Sequence, residues 1–465
     1  MYLAAGLKKH GHEVQLASIQ RVGLDGLERR MREFQPAVVA YSIMTGEHIK
    51  LLEINRGLKQ HFKFLSVFGG PHATFSPSMI EDEPECDALC VGEGDLAFPE
   101  FCRRVEAGEA YWESPNFWVR HEGTIYRNPL LPLVVDLDEL PFPDHDLMYE
   151  CDPEIGEEGT KTFYSGRGCP YACTYCFNGK YNEIYHGKGP IMRYRSPKHL
   201  VDEILYVKER YPLTNVFMHD DTFIAKPAGW FEEFCPDYTR RVGLPMSCCV
   251  RANLVTEPVV ALLSEAGLRS AWMGVECGDE RAANEVLKRK LKNVEIQNAA
   301  EILKRHGVLL VTQNLNGLPV PNSYETDLKT VDLNVRLGPA YAWSSILYPY
   351  PGTPIEAYAR EHGFLPPTGP PLLETNKRSS AFLFPTPIEK RKVENLHKLF
   401  DLMVQHPMLR RHCDFLCALP LSGLYRMVYY LRFGYVFKWK LFPFRSVRKE
   451  LGKFVRLFVR MVRKT

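Results

Sequence analysis

Twice along this chain a short, largely apolar run gives way at once to a glycine-rich turn and then to helical periodicity. That rhythm admits few folds. Residues 37–43 (AVVAYSI) and 64–68 are apolar and strand-like, and the second runs straight into Gly69-Gly70-Pro71-His72. Residues 87–91 form another such run, followed by Gly92-Glu93-Gly94. Residues 2–10 and 49–58 show helical spacing, the first stopping at Gly11, and 14–18 alternates like a strand. Strands that end in glycine turns before helices predict a doubly wound parallel α/β sheet, whose ligands sit at the carboxyl ends of the strands. The chain opens inside a helix with no strand before it. In a five-strand sheet of order 2-1-3-4-5 the absent strand is a central one, so the first domain is expected to be truncated or covered there by another element.

The second block runs from 162 to about 365. Its strand candidates are 162–165, 215–219, 246–250, 270–275, 309–315 and 343–348, with helical stretches such as 199–210, 258–266 and 293–306 between them. Six strands separated by helices predict a partial (β/α)6 barrel with functional residues at strand carboxyl ends. Between the blocks lies DLDELPFPDHDLMYECDPEIGEEG, acidic and Pro-containing, read as an extended linker. The expected organisation is a first domain over 1–135, a linker over 136–160, a barrel over 161–365 and a mainly helical, basic region over 366–465.

Charge is nearly balanced, 58 Lys+Arg against 56 Asp+Glu, which argues against a general polyanion binder. The balance conceals an asymmetry: 436–465 holds ten Lys/Arg and Glu450 alone, a net of +9, leaving 1–435 at −7. No signal-peptide pattern opens the chain, and the richest apolar stretch, 413–444, is broken by Arg426, Arg432, Lys438 and Lys440. Thirteen cysteines are too few for a disulfide scaffold. A reducing cytoplasm is the expected compartment, where close cysteines read as metal or catalytic sites.

The sharpest motif is Gly166-Arg-Gly-Cys169-Pro-Tyr-Ala-Cys173-Thr-Tyr-Cys176-Phe-Asn178. Three thiols at i, i+4 and i+7, in a segment broken by Gly168 and Pro170, lie on a loop after the first barrel strand. Each can reach one iron of a cubane cluster, and three ligands leave the fourth iron open, as a catalytic centre needs. The competing readings are buried structural thiols and a zinc site. Zinc requires a fourth ligand, and neither Cys248-Cys249 nor His186 has paired-ligand spacing.

C-x3-C-x2-C with an aromatic before the last Cys resembles the radical S-adenosylmethionine (radical SAM) enzymes. The preceding domain resembles the Rossmann-like (flavodoxin-like) cobalamin-binding domain often fused to them. The resemblance covers about residues 1–365. It implies that Cys169, Cys173 and Cys176 are the ligands of a 4Fe–4S cluster, that the open iron chelates S-adenosylmethionine, and that one electron cleaves it to a 5′-deoxyadenosyl radical. Tyr175 would pack near the adenine. Asp220 and Asp221, in a DD-x-F variant at the second strand end, would accept the ligand's ammonium hydrogens; helix-cap and solvated roles compete for them. Arg251 would grip the methionine carboxylate, unless it is a surface Arg. Glu276, in Gly274-Val-Glu276-Cys-Gly278, would reach the ribose or methionine. Asn314 in Asn314-Leu-Asn-Gly317-Leu-Pro319, and the turn Tyr348-Pro-Tyr-Pro351-Gly352-Thr353-Pro354, match the last two strand ends, with plain turns as the alternative. In the first domain Ser42, Gly69, Gly70, Pro71, His72, Gly92, Glu93 and Gly94 match the loops that cradle cobalamin. The D-x-H-x-x-G that supplies a cobalt-binding His is absent, so cobalt is expected to lack a protein His, with His72 mainly in another role.

The resemblance implies an iron–sulfur, cobalt- and S-adenosyl-L-methionine-using transferase, a methyltransferase acting on an unactivated carbon of a small-molecule or lipid-like substrate. The alternatives are radical oxidation, cyclisation or rearrangement without methyl transfer, or a non-catalytic cluster and corrin protein for electron transfer or sensing. A methylthio-transferring RNA enzyme lacks support, since its extra cysteine set and small basic β-barrel are absent from the sequence. A flavodoxin- or ferredoxin-type reductant is implied, and no nucleic-acid partner. In the tail, Leu451, Phe454, Val455, Phe458, Val459 and Val462 fall at helical spacing opposite Lys453, Arg456, Arg460 and Arg463. This basic amphipathic pattern suits an anionic membrane surface or packing on the barrel, so the protein is expected in the cytoplasm, with peripheral membrane contact through the tail.

Overall fold

The computed structural model describes residues 1–370 and 379–442. Its contacts divide into two units. The first comprises Met1–Glu158, Phe177–Arg195 and Tyr206–Pro212; the second comprises Gly159–Cys176, Ser196–Leu205 and Leu213–Thr465.

In the first unit β1 (Val38–Ser42), β2 (Leu65–Gly69) and β3 (Ala88–Cys90) pair in parallel. An antiparallel hairpin, β4 (Phe117–His121) and β5 (Thr124–Arg127), completes a sheet of order β1-β2-β3-β4-β5. The hairpin turns on Glu122 and Gly123, both at positive φ, the two-residue geometry that matches strand twist. Alternation along β2 sends Phe68 into a cluster with Tyr41, Ile43 and Leu89, and Val67 into another with Phe98, Phe101 and Phe117. Both faces of the sheet are therefore covered, as a doubly wound fold requires. Residues 14–18 are not a strand: the alternation is present, but no neighbouring strand among the described residues offers a ladder to join. The helix Ile19–Phe34, which follows, carries non-helical backbone at Gly23.

The second unit holds six parallel strands: β6 (Thr160–Phe163), β7 (Asn215–Met218), β8 (Met246–Val250), β9 (Leu268–Glu276), β10 (Leu309–Asn316) and β11 (Tyr341–Ile346). They pair strictly in sequence order. Each crossover thus advances by one strand in one direction, the topology of a partial barrel. The helix Pro387–Gln405 packs Val393, Leu396, Phe400 and Met403 against Tyr324, Val331 and Ala342. Its Asp401 accepts the Ala342 amide at 2.9 Å and pairs with Arg432 at 2.7 Å, so a backbone donor on the edge strand β11 is satisfied by a side chain.

The acidic stretch 136–160 is not simply extended. Asp144 caps the helix His145–Cys151 by accepting the Leu147 amide, and Asp152 caps Pro153–Gly156. The acids and prolines that suggest a linker are here the start signals of helices. No helix among the described residues is long and apolar enough to cross a membrane. The amphipathic pattern over 451–463 lies outside the described residues.

Candidate functional site

The three thiols occupy the loop that leaves β6. Gly168 takes φ +94, and the Cys176 amide donates to the Cys173 carbonyl at 3.1 Å, closing a turn between the second and third cysteines. Thr174 anchors that turn. Its amide donates to the Leu287 carbonyl, its hydroxyl to the Val286 carbonyl at 2.7 Å, and its own carbonyl accepts the Ile355 amide. The cysteine loop is therefore held from two later segments of the same unit. No group of three or more His, Cys, Asp or Glu among the described residues is gathered tightly enough to share one ion. A cubane does not require that, because each thiolate takes a different iron.

The buried Cys173 thiol is the electrostatic focus. Arg251 and Arg289 bring one guanidinium nitrogen each to 4.0 and 3.9 Å of its sulfur. Arg251 lies under the Tyr171 ring at 3.7 Å and donates to the Arg289 carbonyl, which excludes the surface-Arg reading. Arg289 donates to the Tyr175 hydroxyl at 3.0 Å and to the Gly274 carbonyl, and stands 3.8 Å from a Glu276 oxygen. Both Nε atoms are buried without a hydrogen-bond partner. Two desolvated cations with unused donors suit an anionic thiolate-bound cluster and an anionic ligand group beside it. The donor set therefore fits the cluster that the motif implies. Burial pushes the Cys169 thiol up, so metal must displace a proton there.

The G-x-E-C-G turn explains its own residues. Glu276 sits at φ +65 after a register shift in β9, a left-handed position unusual for Glu. A Cβ on Gly274 would stand 2.7 Å from the Glu276 carboxylate, and one on Gly278 would stand 2.4 Å from the Lys329 carbonyl. Both glycines exist to admit the turn. Burial raises the Glu276 carboxyl above its usual range, with Arg289 opposing.

Of the two aspartates, Asp220 is buried: it accepts the Ser165 amide and hydroxyl, the latter at 2.7 Å, and pairs with buried Lys226 at 3.5 Å. It ties two strand ends together and is not presented to a ligand. Asp221 is exposed. Asn314 is also withdrawn, its amide donating to Thr312 and Trp343 and accepting from Asn334 at 2.7 Å. Both amide donors of Asn314 and one of its two acceptor positions are thus taken within the barrel.

Sequence reasoning missed Thr174 and Arg289. Lys288-Arg289-Lys290 reads as a solvated basic run. Yet Lys288 and Lys290 both adopt positive φ, turning the buried Arg289 inward between two exposed neighbours. Only the fold reveals that inversion.

In the first unit β1 and β2 end in register, Ser42 opposite Gly69. Gly70 takes φ +92, and a Cβ there would press on Ile43 at 3.0 Å. Ser42 and Pro71 are exposed, and Gly69 has only ordinary van der Waals neighbours, so this ledge is open and uncharged. It fits the broad face of a macrocycle held by shape. His72 does not belong to it. The ring is buried, stacks on His48 at 3.7 Å and lies 3.0 Å from the Thr45 hydroxyl, and burial lowers its pKa to about 4.

Glu93 is likewise committed. Its carboxylate accepts from Arg193 at 2.8 and 2.6 Å and from the Tyr181 hydroxyl at 2.7 Å. A Cβ on Gly92 would fall 2.0 Å from the Tyr185 hydroxyl, and one on Gly94 would fall 3.1 Å from Leu3. These two glycines answer to the chain's own packing rather than to a ligand's.

Comparison with known proteins finds a family match in each half of this architecture. Residues 1–102 match the B12 binding domain and 163–329 the Radical SAM superfamily. An uncharacterised methyltransferase of Pyrococcus horikoshii is 23% identical over 370 residues, 78% of each chain. The fold resembles that of the radical S-adenosylmethionine methyltransferase TsrM from Kitasatospora setae, solved with cobalamin and a [4Fe-4S] cluster. The TM-score is 0.63 at 17% identity, over 76% of this chain and 73% of that one. It also resembles the cobalamin-dependent S-adenosylmethionine radical enzyme OxsB, with a TM-score of 0.69 at 16% identity, over 98% and 72%.

Proposed function

The chain belongs to the radical SAM proteins that carry a B12-binding domain, and from that premise we propose that it methylates an unactivated carbon of a small-molecule or lipid-like substrate. The convergence of Arg251 and Arg289 on Cys173 supports the cluster and S-adenosylmethionine part of this reading, and the B12-binding match over residues 1–102 supports the methyl-transfer part. Cys169, Cys173 and Cys176 would hold the cluster and leave one iron for S-adenosylmethionine. When bound, the cluster supplies the electron that cleaves S-adenosylmethionine, and cobalamin supplies the methyl group.

The chain's own residues then bind and orient. Arg251 and Arg289 compensate negative charge at Cys173 and offer their unused Nε donors to a carboxylate. Asp221, exposed at the end of β7, accepts ammonium hydrogens. Glu276 accepts hydrogen bonds from the ligand's amino or ribose groups, its acid raised by burial so that a donor must satisfy the charged form. Tyr175 is held by Arg289 and would pack near the adenine. Ser42, Gly69, Gly70 and Pro71 form the ledge for the corrin.

A flavodoxin- or ferredoxin-type protein is the proposed reductant. All thirteen cysteines stand as free thiols, which supports a reducing, cytoplasmic setting. The basic tail 436–465 is proposed to touch an anionic membrane.

Anaerobic turnover with dithionite tests the reaction. A product heavier by one methylene unit, with 5′-deoxyadenosine released, is expected. Turnover without that mass gain removes methyl transfer in favour of oxidation, cyclisation or rearrangement. No 5′-deoxyadenosine at all leaves a passive electron-transfer or sensing module.

A further inference from the structure

We infer that the amino-terminal end of the six-stranded sheet is a docking face for an anionic lipid bilayer, with a phosphate-bearing headgroup seated in a cationic cavity. This deepens the membrane contact proposed for the tail and rests on that reading: it keeps Trp439 and Lys440 from the start of the tail and adds residues outside it, Arg269, Lys304 and the helix Ser422–Tyr435.

The cavity encloses about 520 Å3, within the range of small-molecule sites. It opens where β9, β10 and β11 begin, because its walls are Arg269, the segment 308–310 and the segment 338–340. The cysteine loop and Glu276 lie at the opposite, carboxyl ends of the strands, so this is a second site on the unit. Arg269, Lys304 and Lys440 line it together with Gln405 and Trp439, and no acid does among the described residues. None of the three cations forms an ion pair with a carboxylate among the described residues. Arg269 donates to the Lys440 carbonyl at 2.9 Å and to the Leu441 carbonyl at 3.3 Å, which fixes the Lys440 backbone at the wall. Exposed cations with no carboxylate partner among the described residues, one of them held by two backbone carbonyls, suit a phosphate monoanion or diester.

An apolar stripe leads to the same rim. On the helix Ser422–Tyr435, Leu424, Met427, Leu431 and Tyr435 follow at helical spacing, and Trp439 comes four residues later. Each of these five is 48 to 53% exposed, although the opposite face of the helix buries Tyr425, Tyr430 and Gly434. Trp439 belongs to both features, since it ends the stripe and lines the cavity. Residues 415–449 contain no acid at all. Aliphatic side chains beside an aromatic pair and a basic cavity match the interface of an anionic bilayer, where apolar groups enter the acyl boundary and cations meet phosphates. Nucleic acid would gain nothing from Leu424, Met427 and Leu431, because bases stack on rings.

Co-sedimentation of the full chain with vesicles tests the face. Vesicles of phosphatidylcholine doped with phosphatidylglycerol should carry the protein down at low salt, and pure phosphatidylcholine vesicles should not. Lys304→Glu with Lys440→Glu should lower the bound fraction roughly tenfold or more, at about 1 kcal/mol per charge near the surface. Met427→Ser with Leu431→Ser should weaken binding even at low salt. Far-UV circular dichroism and iron content, unchanged in each variant, separate lost docking from lost folding. Glycerol phosphate that binds the wild type while vesicles do not would reduce the cavity to a soluble-anion site and overturn the proposal. If both double variants sediment like wild type and removal of 443–465 abolishes binding, the tail reading stands and this face falls. A wild type that sediments with neither vesicle overturns both.

Discussion

The strand ends of the two units solve opposite electrostatic problems. In the first unit the charges of the residues that the strand-end loops withdraw are answered within the chain: Glu93 by Arg193 and Tyr181, and the His48–His72 pair by staying neutral. What remains open is the ledge from Ser42 to Pro71, which carries no charge. In the second unit two buried guanidiniums crowd one thiol and keep unused donors. The contrast teaches how one chain prepares for two cofactors. A broad macrocycle needs a flat surface that is already satisfied, while an anionic cluster and a zwitterionic ligand need charge held in waiting.

The sharpest way to break that contrast is Cys173→Ala. It should abolish the iron–sulfur absorbance and all S-adenosylmethionine cleavage, while cobalamin still binds the other unit. Retained cleavage would refute the ligand assignment. Next in size is Arg193→Met, which strands a half-buried Glu93 carboxylate. The first unit should lose roughly 3–5 kcal/mol in urea unfolding, and a loss below about 1 kcal/mol would mean that the pair is solvated after all.

The histidine pair gives a pH signature. His72 is near 6.5 unfolded and about 4 folded, so its native state prefers the neutral ring. Its contribution is whole above about pH 6.5 and declines as pH falls toward 4. Between about pH 7 and about pH 5 the first unit should lose about 2 kcal/mol, a loss that His72→Gln should flatten. An unaltered slope in that variant would place the sensitivity elsewhere.

The smallest expected effect is Arg289→Met. It should weaken S-adenosylmethionine binding roughly tenfold, measured by perturbation of the cluster's electron paramagnetic resonance spectrum, with iron content retained. Loss of the iron would instead make Arg289 a fold residue.

Much of this was legible in the sequence, for identifiable reasons. The six barrel strands are short, largely apolar runs that stop at turns, and the observed strands overlap the expected ones: residues 246–250 form Met246–Val250 without change. The cysteine loop announces itself because Gly168, Pro170 and Asn178, which flank the thiols, have no place in a core strand. What stayed hidden depends on distance or inversion. Glu93 and Arg193 are a hundred positions apart, and no local pattern links them. Residues 14–18 alternate like a strand, but pairing is a property of neighbours rather than of a segment. The helix Ile19–Phe34 is masked by Gly23 and Gly26. Asp220 and Asp221 are adjacent and chemically identical, yet one is buried against Lys226 and the other is exposed. Sequence alone cannot rank them.

Mössbauer and electron paramagnetic resonance spectroscopy of the anaerobically reconstituted protein, with and without S-adenosylmethionine, bears most directly on the central claim. About four irons per chain in a single cubane are expected, with one iron site changing its parameters when S-adenosylmethionine is added. Zinc in the loop, no metal, or a cubane whose spectrum ignores S-adenosylmethionine would contradict the account.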